Sequence, residues 1–232
     1  MKNITTRLSL FVLFSLLYSL PVYAQQAAGD DLNGRFKSTD LDVQVWVDRF
    51  EGEGREVYDH RNEIVAAIGL QPGQQIADVG AGTGLYEPLF ANKVGASGTV
   101  YAVDISPNFI EHIKTRARER GLSQVKTILN SERSAELPAN SVDVVFICDT
   151  YHHFVYYQDM LASIHAALRP GGQLIIVDYD KVPGKSPAFI LQHVRATKEQ
   201  FTSEIEAAGF KLAEDIPIAG FTETFMRRFA KQ

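Results

Sequence analysis

A run of closely spaced glycines directly after a short apolar stretch constrains the fold of this chain more than any other feature. Residues 75–84 read Gln-Ile-Ala-Asp-Val-Gly-Ala-Gly-Thr-Gly. The apolar part predicts a strand, and Gly80, Gly82 and Gly84 allow the backbone to turn with positive φ and a ligand to approach the main chain. In open α/β sheets the crevice at the carboxyl ends of the strands is where nucleotide-like ligands bind. The sequence therefore predicts a ligand site immediately after a first strand.

The order of the remaining elements predicts a Rossmann-like α/β fold. Apolar strand patterns alternate with helical ones as far as residue 177, which indicates a parallel sheet with helices on both faces. A helix and two further strands follow, and these predict an antiparallel hairpin strand at the end of a seven-stranded, mostly parallel sheet. The predicted strands are 76–79, 99–104, 125–129, 142–148, 174–177, 210–214 and 224–230.

The segment before the first strand lies outside this alternation. Residues 25–37 have the composition of a linker, a helix is favoured over an alternating strand at 38–50, and a second helix is predicted at 55–68. These helices are candidates for a lid, whose aromatic residues Trp46 and Phe50 either line a substrate pocket or anchor the lid to the core. The domain organisation is thus 1–24, a linker and lid at 25–70, and a ligand-binding domain at 71–232.

The first 24 residues have the pattern of a signal peptide. Lys2 and Arg7 form a positive start, residues 8–20 are apolar, and Val-Tyr-Ala at 22–24 predicts cleavage after Ala24. The apolar run is shorter than the about 20 residues that a membrane-spanning helix needs. An exported protein is therefore predicted, periplasmic in a bacterium, with a tether through an uncleaved amino-terminal segment as the alternative.

Composition excludes several classes of function. The formal net charge is −5 over 232 residues, so a general nucleic-acid-binding surface is not expected. Cys148 is the one cysteine, which excludes an intramolecular disulfide and a cysteine-rich metal site. A small molecule is the expected partner, and the sequence does not fix the oligomeric state.

The spacing of the glycine loop discriminates between nucleotide-like ligands. A dinucleotide fingerprint would need glycine where Leu85 stands, and no Gly-Lys-Ser/Thr follows to make a phosphate loop. The observed form is Asp78-x-Gly-x-Gly-x-Gly, with Asp104 at the end of the next predicted strand, twenty residues after Gly84. From residue 71 onwards the chain resembles the class I S-adenosylmethionine-dependent methyltransferases.

That resemblance implies how the cofactor is held. The acid before the loop and the loop backbone cradle the amino acid end of S-adenosylmethionine, and Asp104 accepts hydrogen bonds from both ribose hydroxyls. A strand-end carboxylate has two oxygens suited to such a diol. The cofactor-binding residues that the resemblance implies are Asp78, Gly80, Ala81, Gly82, Thr83, Gly84, Asp104, Ile105, Ser134 and Asp149.

Residues 149–154, Asp-Thr-Tyr-His-His-Phe, resemble the segment after strand four in the branch related to quinone-biosynthesis and arsenite methyltransferases. In that branch the segment lines the methyl-transfer site. Asp149, His152 and His153 are the candidate catalytic residues, because histidine has a suitable pKa for a base near neutrality. In extended chain, adjacent histidines point in opposite directions, so at most one is expected to face the site.

The acceptor is expected to be a small, aromatic or quinone-like molecule, contacted by Tyr58, Tyr151 and His193. An arsenite substrate is disfavoured, because that chemistry uses several thiolates. A catechol-type alternative would place Mg²⁺ or Ca²⁺ at Asp149, one histidine and Asp178. Relatives with the His-His segment are not typically metal enzymes, so no metal is expected. A second functional hypothesis is an exported protein that binds the nucleoside without turnover.

Overall fold

The structure is a computed structural model, and it describes residues 32–232. The predicted signal peptide and most of the predicted linker lie outside the described residues. Within residues 32–232 no helix is both long enough and apolar enough to cross a bilayer.

One seven-stranded sheet organises the described chain. Its strands in sequence order are β1 (Gln75–Val79), β2 (Thr99–Asp104), β3 (Val125–Leu129), β4 (Val142–Cys148), β5 (Leu168–Tyr179), β6 (Phe210–Asp215) and β7 (Thr224–Lys231). Their spatial order is β3-β2-β1-β4-β5-β7-β6. The first five strands pair in parallel, while β7 pairs antiparallel with both β5 and β6. The predicted fold class, including the carboxyl-terminal hairpin, is confirmed.

The described helices precede β1 or connect the strands. They are α1 (Gly34–Lys37), α2 (Val43–Phe50), α3 (Glu56–Asp59), α4 (Arg61–Ile68), α5 (Glu87–Val94), α6 (Pro107–Glu119), α7 (Tyr157–Ala167), α8 (Ala188–His193) and α9 (Lys198–Ala207), with a 3₁₀ turn at Tyr151–His153. Ser106 caps α6 with its side chain and Thr197 caps α9, as Ser and Thr do when they accept from a free backbone N–H of the first turn.

Both faces of the central strands are buried. On β4, Val145 and Ile147 face one apolar cluster with α7 and α9, whereas Val144 and Phe146 face the other with α4 and α5. Successive side chains of a strand point to opposite faces, so a strand covered on both sides has a continuous apolar sequence. The apolar run at 142–148 is continuous because both faces of β4 are buried.

Several local features differ from the sequence expectations: α1 lies in the predicted linker, and α2 begins at Val43 rather than at residue 38. The predicted helix at 55–68 is two helices, α3 and α4, separated at His60. Glu56, the first residue of α3, accepts hydrogen bonds from the backbone N–H groups of Thr222 and Glu223. Strand β5 starts at Leu168, with a register irregularity opposite Val142–Val144. Helix α8, in the connection after β5, was not predicted.

The core position of Phe146 gives a direct test of this packing. Its side chain is fully buried, with ring centroids 4.9 Å from Tyr86 and 5.2 Å from Phe90. We expect Phe146→Ala to lower the free energy of unfolding by about 3–5 kcal/mol in urea denaturation, because it leaves a cavity in a closely packed core. Leu129→Ala, at a half-exposed position on edge strand β3, should cost less than about 1 kcal/mol. Equal losses in both variants would contradict the described core.

Candidate active site

A cavity of about 620 Å³ opens at the carboxyl ends of β1, β2 and β4. The glycine loop and strand-end acids form its floor. Phe36, Trp46, Phe50 and Arg55 from the segment before β1 line it from another side, as does His193 of α8. The amino-terminal segment that was a candidate for a lid therefore contributes side chains to the cavity wall, and so does the connection after β5.

The glycine loop turns sharply because its glycines have positive φ. Gly80 has φ of +86°, and the N–H groups of Gly80 and Ala81 both donate to the Val103 carbonyl at 2.8 and 3.0 Å. A Cβ at Gly80 would lie 2.2 Å from Cγ2 of Thr150, so no larger residue fits there. Gly82 also has positive φ, +56°, and lines the cavity. The loop thus brings bare backbone to the cavity wall.

Asp104 is a buried hydrogen-bond acceptor at the end of β2. Its Oδ2 accepts from the Gly82 N–H and its Oδ1 from the Ser106 N–H, both at 2.8 Å. Each carboxylate oxygen can accept a second hydrogen bond. Burial raises the pKa of Asp104 to about 6, although three backbone N–H groups oppose the shift. The side chain lines the cavity, where it can accept from a pair of adjacent hydroxyls.

Asp78 and Glu87 add two more buried carboxyl groups below the loop. Burial raises the pKa of Asp78 well above its ordinary value, and the neighbouring acids Glu87 and Asp104 raise it further. Burial also raises the pKa of Glu87 to about 8, and its oxygens have no hydrogen-bond partner in the described chain. No ion pair involves these three carboxyl groups in the described chain. Since Asp78 lines the cavity, a cationic ligand there would be favoured.

Asp149 follows β4 in a strained conformation. Its φ of +48° is uncommon for a residue other than glycine. Its Oδ2 accepts from Arg55 Nη2 at 2.6 Å, while its buried Oδ1 has no partner among the described residues. Burial raises the pKa of this carboxyl even though Arg55 opposes the shift. Asp149 therefore faces the cavity with one oxygen engaged and one free.

His152 and His153 both line the cavity, so the expectation that at most one faces the site is wrong. The segment is a 3₁₀ turn rather than extended chain, and the two ring centroids lie 4.4 Å apart. Asp178, fully buried at the end of β5, holds His152: its Oδ1 lies 2.7 Å from Nδ1, and its Oδ2 accepts from the His152 backbone N–H. Because a carboxylate only accepts, the proton of the neutral ring is on Nδ1 and Nε2 is free.

The pKa values of the two histidines shift in opposite directions. Burial alone would lower the pKa of His152, but the carboxylate of Asp178 outweighs it and the net pKa is raised. Burial lowers the pKa of His153 to about 2, with the neighbouring His152 and His193 acting in the same direction. His152 is therefore the better proton acceptor of the pair.

Two predicted substrate contacts do not line the cavity. Tyr151 is fully buried in the core against Phe154 and Phe201, and its hydroxyl donates to Glu204 at 3.1 Å. Tyr58 does not line the cavity either: Val57 is the residue of α3 that is buried, and the Arg61 guanidinium lies 4.2 Å from the Tyr58 ring centroid. Neither Tyr151 nor Tyr58 is therefore placed to contact a substrate in the cavity as predicted, whereas His193 does line the cavity.

Two predicted cofactor contacts also lie outside the cavity lining. Ser134 accepts from the Glu136 N–H within its own turn, and Glu132 lines the cavity in its place. Gly84 faces Ile113 and Glu87 rather than the cavity, although its φ of +83° makes glycine necessary. Eight of the predicted cofactor contacts do line it: Asp78, Gly80, Ala81, Gly82, Thr83, Asp104, Ile105 and Asp149.

Comparison with known proteins agrees with this geometry. Residues 77–176 match the family model described as a methyltransferase domain. A demethylmenaquinone methyltransferase of Geobacillus kaustophilus is 29% identical over 118 residues, which cover 51% of this chain and 50% of that enzyme. The first four curated relatives are matched over 45% to 68% of their own length.

Solved structures show the same fold. A S-adenosylmethionine-dependent methyltransferase from Aquifex aeolicus has a TM-score of 0.70 and 23% identity, covering 82% of this chain and 98% of that one. Magnesium protoporphyrin IX methyltransferase from Synechocystis PCC 6803, solved with the cofactor bound, has a TM-score of 0.62 and 19% identity, covering 89% and 99%. This chain therefore has the Rossmann-like fold of the methyltransferases. Residues 77–176 are similar to a methyltransferase domain, and S-adenosylmethionine is the cofactor of the two solved methyltransferases named above.

The residues present fit that cofactor. The free acceptor positions of Asp104 suit the ribose diol, and the carboxyl of Asp78 suits the cationic amino group. The backbone at Gly82, which lines the cavity with positive φ and without a side chain, allows the close approach that the amino acid end requires.

We expect Asp104→Ala to weaken S-adenosylmethionine binding more than tenfold in calorimetry, because two charge-assisted hydrogen bonds are lost. Glu111→Ala is the matched control, since it removes an exposed acid on α6 that is paired only with Lys114. Unchanged affinity in Asp104→Ala would contradict the assignment of the diol to this carboxylate.

A second expectation concerns pH and the buried acid Glu87. The folded-state pKa of about 8 exceeds the ordinary 4.5, so between these values the folded protein holds a proton that the unfolded chain releases, and stability falls as pH rises through this interval. We expect Glu87→Gln to remove this part of the slope. The variant should be more stable than the parent by roughly 4 kcal/mol at pH 8 and about equal to it at pH 4. Parallel stability curves for the two proteins, measured by urea denaturation, would exclude the shift.

Proposed function

We propose that this protein transfers the methyl group of S-adenosylmethionine to a small-molecule acceptor. The observation that carries the proposal is that one cavity is lined both by the cofactor-type floor, with Asp104 and the glycine loop, and by His152, which the buried carboxylate of Asp178 holds from behind. The cofactor supplies an electrophilic methyl group on a sulfonium. The chain's own residues have to hold that group in line with an acceptor and accept a proton where the acceptor carries one.

His152 is the proposed base. The carboxylate of Asp178 fixes the ring with Nδ1 protonated, so the ring nitrogen with a lone pair and no hydrogen-bond partner is Nε2. Asp178 also stabilises the imidazolium that forms when Nε2 takes a proton, as the acid does in other histidine–carboxylate pairs. His153, whose pKa is lowered to about 2, stays neutral and is proposed to act as a polar wall of the acceptor pocket.

Asp149 is proposed to organise the cavity rather than to accept the proton. Its ion pair with Arg55 joins the end of β4 to the segment between α2 and α3. Arg55 also lies 4.8 Å from the ring centroid of Phe50. The pair therefore connects the catalytic segment to the aromatic side chains that cover it.

The acceptor is proposed to be aromatic or quinone-like. Phe36, Trp46 and Phe50 form a continuous aromatic surface on the cavity, with ring centroids 4.9 and 5.1 Å apart along the series. Flat apolar rings pack favourably against such side chains. The relative named as a demethylmenaquinone methyltransferase supports an acceptor of this class.

The place of action is proposed to be outside the cytoplasm. The support is the sequence pattern at residues 1–24, with cleavage after Ala24. Mass spectrometry of the exported chain should then find Gln25 as its first residue. Cytosolic protein that retains Met1 would contradict export.

The base assignment is tested with Asp178→Asn in a methyl-transfer screen over phenols, quinones and thiols. We expect kcat to fall by about 10²–10⁴-fold for an acceptor that must lose a proton, with an unchanged dissociation constant for S-adenosylmethionine, because Asp178 is not among the residues that line the cavity. Asp159→Asn, at an exposed position on α7, is the control. Cofactor binding without turnover of any acceptor would favour a non-catalytic nucleoside-binding protein instead.

A further inference from the structure

Three imidazoles converge on one wall of the cavity. His152 and His153 come from the 3₁₀ turn after β4, and His193 comes from the end of α8, forty residues later in the chain. One ring nitrogen from each lies within 4.8 Å of those of the other two. The ring of His193 is 4.8 Å from that of His152 and 5.0 Å from that of His153, centroid to centroid, and T-shaped to both.

From this cluster, which we name the histidine triad, we propose that His152, His153 and His193 bind a divalent transition-metal ion. Neutral imidazole is a preferred ligand of zinc, copper, iron and nickel. Catalytic zinc sites typically have three protein ligands and leave the fourth coordination position open to water or substrate. Three imidazole nitrogens beside a cavity would give this arrangement. This site differs from the magnesium or calcium site weighed from the sequence, because it contains no oxygen ligand.

The environment of His152 is the strongest support. Its side chain is 2% exposed, and its Nε2 has no hydrogen-bond partner in the described chain. A buried polar atom without a partner is costly unless something binds it. The other ring nitrogen is held by the fully buried carboxylate of Asp178, and metal-binding histidines almost always have such a carboxylate or carbonyl behind them. The buried Nδ1 of His153 is a second unpartnered ring nitrogen in the triad.

The oxygen-ligand alternative is less compatible with the contacts. Both oxygens of Asp178 are engaged, one with the His152 ring and the Tyr179 N–H and the other with the His152 N–H. Asp149 is paired with Arg55 through Oδ2, and its free Oδ1 does not belong to the group of ligand atoms that lie within 4.8 Å of one another. The imidazoles are therefore the donors that converge, and the two carboxylates lie behind or beside them.

Closing the triad on an ion requires only a small movement. Bonds of about 2.0–2.1 Å to a tetrahedral zinc ion hold ligand nitrogens about 3.4 Å apart, compared with the limit of 4.8 Å found here. His193 is the ligand able to make that adjustment, because it is half-buried on a helix of six residues. Metal binding would thereby fix α8 over the cavity.

The open position of such an ion would face the acceptor pocket. Arg35 and Arg55 line the same cavity, so an anionic oxygen or sulfur is favoured there over a neutral ligand. This part of the inference rests on the proposed function: a phenol or thiol would release its proton to solvent on coordination and accept the methyl group as the anion. With Nε2 of His152 bound to the ion, coordination would replace His152 as the means of removing that proton. The metal site itself does not depend on that function.

The test is metal binding by the purified full chain without a polyhistidine tag. We expect equilibrium dialysis to show one saturable Zn²⁺ per chain, and Co²⁺ to give the visible absorption of a four-coordinate site with three nitrogen ligands. His193→Ala and His153→Ala should each weaken binding by at least tenfold, and Asp178→Asn by about 10–100-fold. His165→Ala, which removes a half-buried histidine of α7 outside the cavity, should change nothing.

Circular dichroism of each variant shows whether it folds; His153 and His193 are both half-buried, whereas His152 is buried. Absence of saturable Zn²⁺ uptake, or uptake that persists in folded His193→Ala and His153→Ala, would overturn the proposal. Zn²⁺ binding in a protein without methyl transfer would support the site and count against the proposed function alone. Full methyl-transfer activity of the metal-free protein after chelation would show that the acceptor does not need to coordinate the metal ion.

Discussion

The burial of carboxyl groups at the carboxyl ends of β1 and β2 is the constraint on which the rest of the site depends. Asp78 and Asp104 lie in the cavity floor, with Glu87 below, and no ion pair with a described residue compensates them. Transferring a charge from water into a protein is costly unless hydrogen bonds or an opposite charge compensate it. The raised pKa values of all three groups express that cost, which the diol and amino group of a bound cofactor would reduce.

The sheet explains why these acids and the two histidine segments meet. Parallel strands end at the same edge, so residues that follow β1, β2, β4 and β5 are brought together although a hundred residues separate Asp78 from Asp178. Asp178 holds His152 across the neighbouring strands β4 and β5. The amino-terminal segment then adds Arg55, which pairs with Asp149. The topology of the sheet thus brings together the floor of the cofactor site, the proposed base and the side chains that cover them.

Sequence patterns predicted the elements whose local signals are unambiguous. Strand β4 was predicted with its observed bounds because both of its faces are buried, and the capping residues Ser106 and Thr197 predicted the starts of α6 and α9. The orientations of side chains in irregular segments were not predictable. An extended chain was assumed at 149–154, and the 3₁₀ turn instead directs both histidines to the cavity and buries Tyr151. Asp178 was weighed only as a metal ligand, because its contact with His152 depends on strand pairing.

The most direct test of the central claim is a crystal structure of the chain with S-adenosylhomocysteine, the product of cofactor turnover. We expect both ribose hydroxyls to lie within hydrogen-bond distance of the Asp104 carboxylate. The amino group should lie beside Asp78, and the sulfur should face the part of the cavity that His152 lines. A ligand bound elsewhere, or a ribose turned away from Asp104, would contradict it.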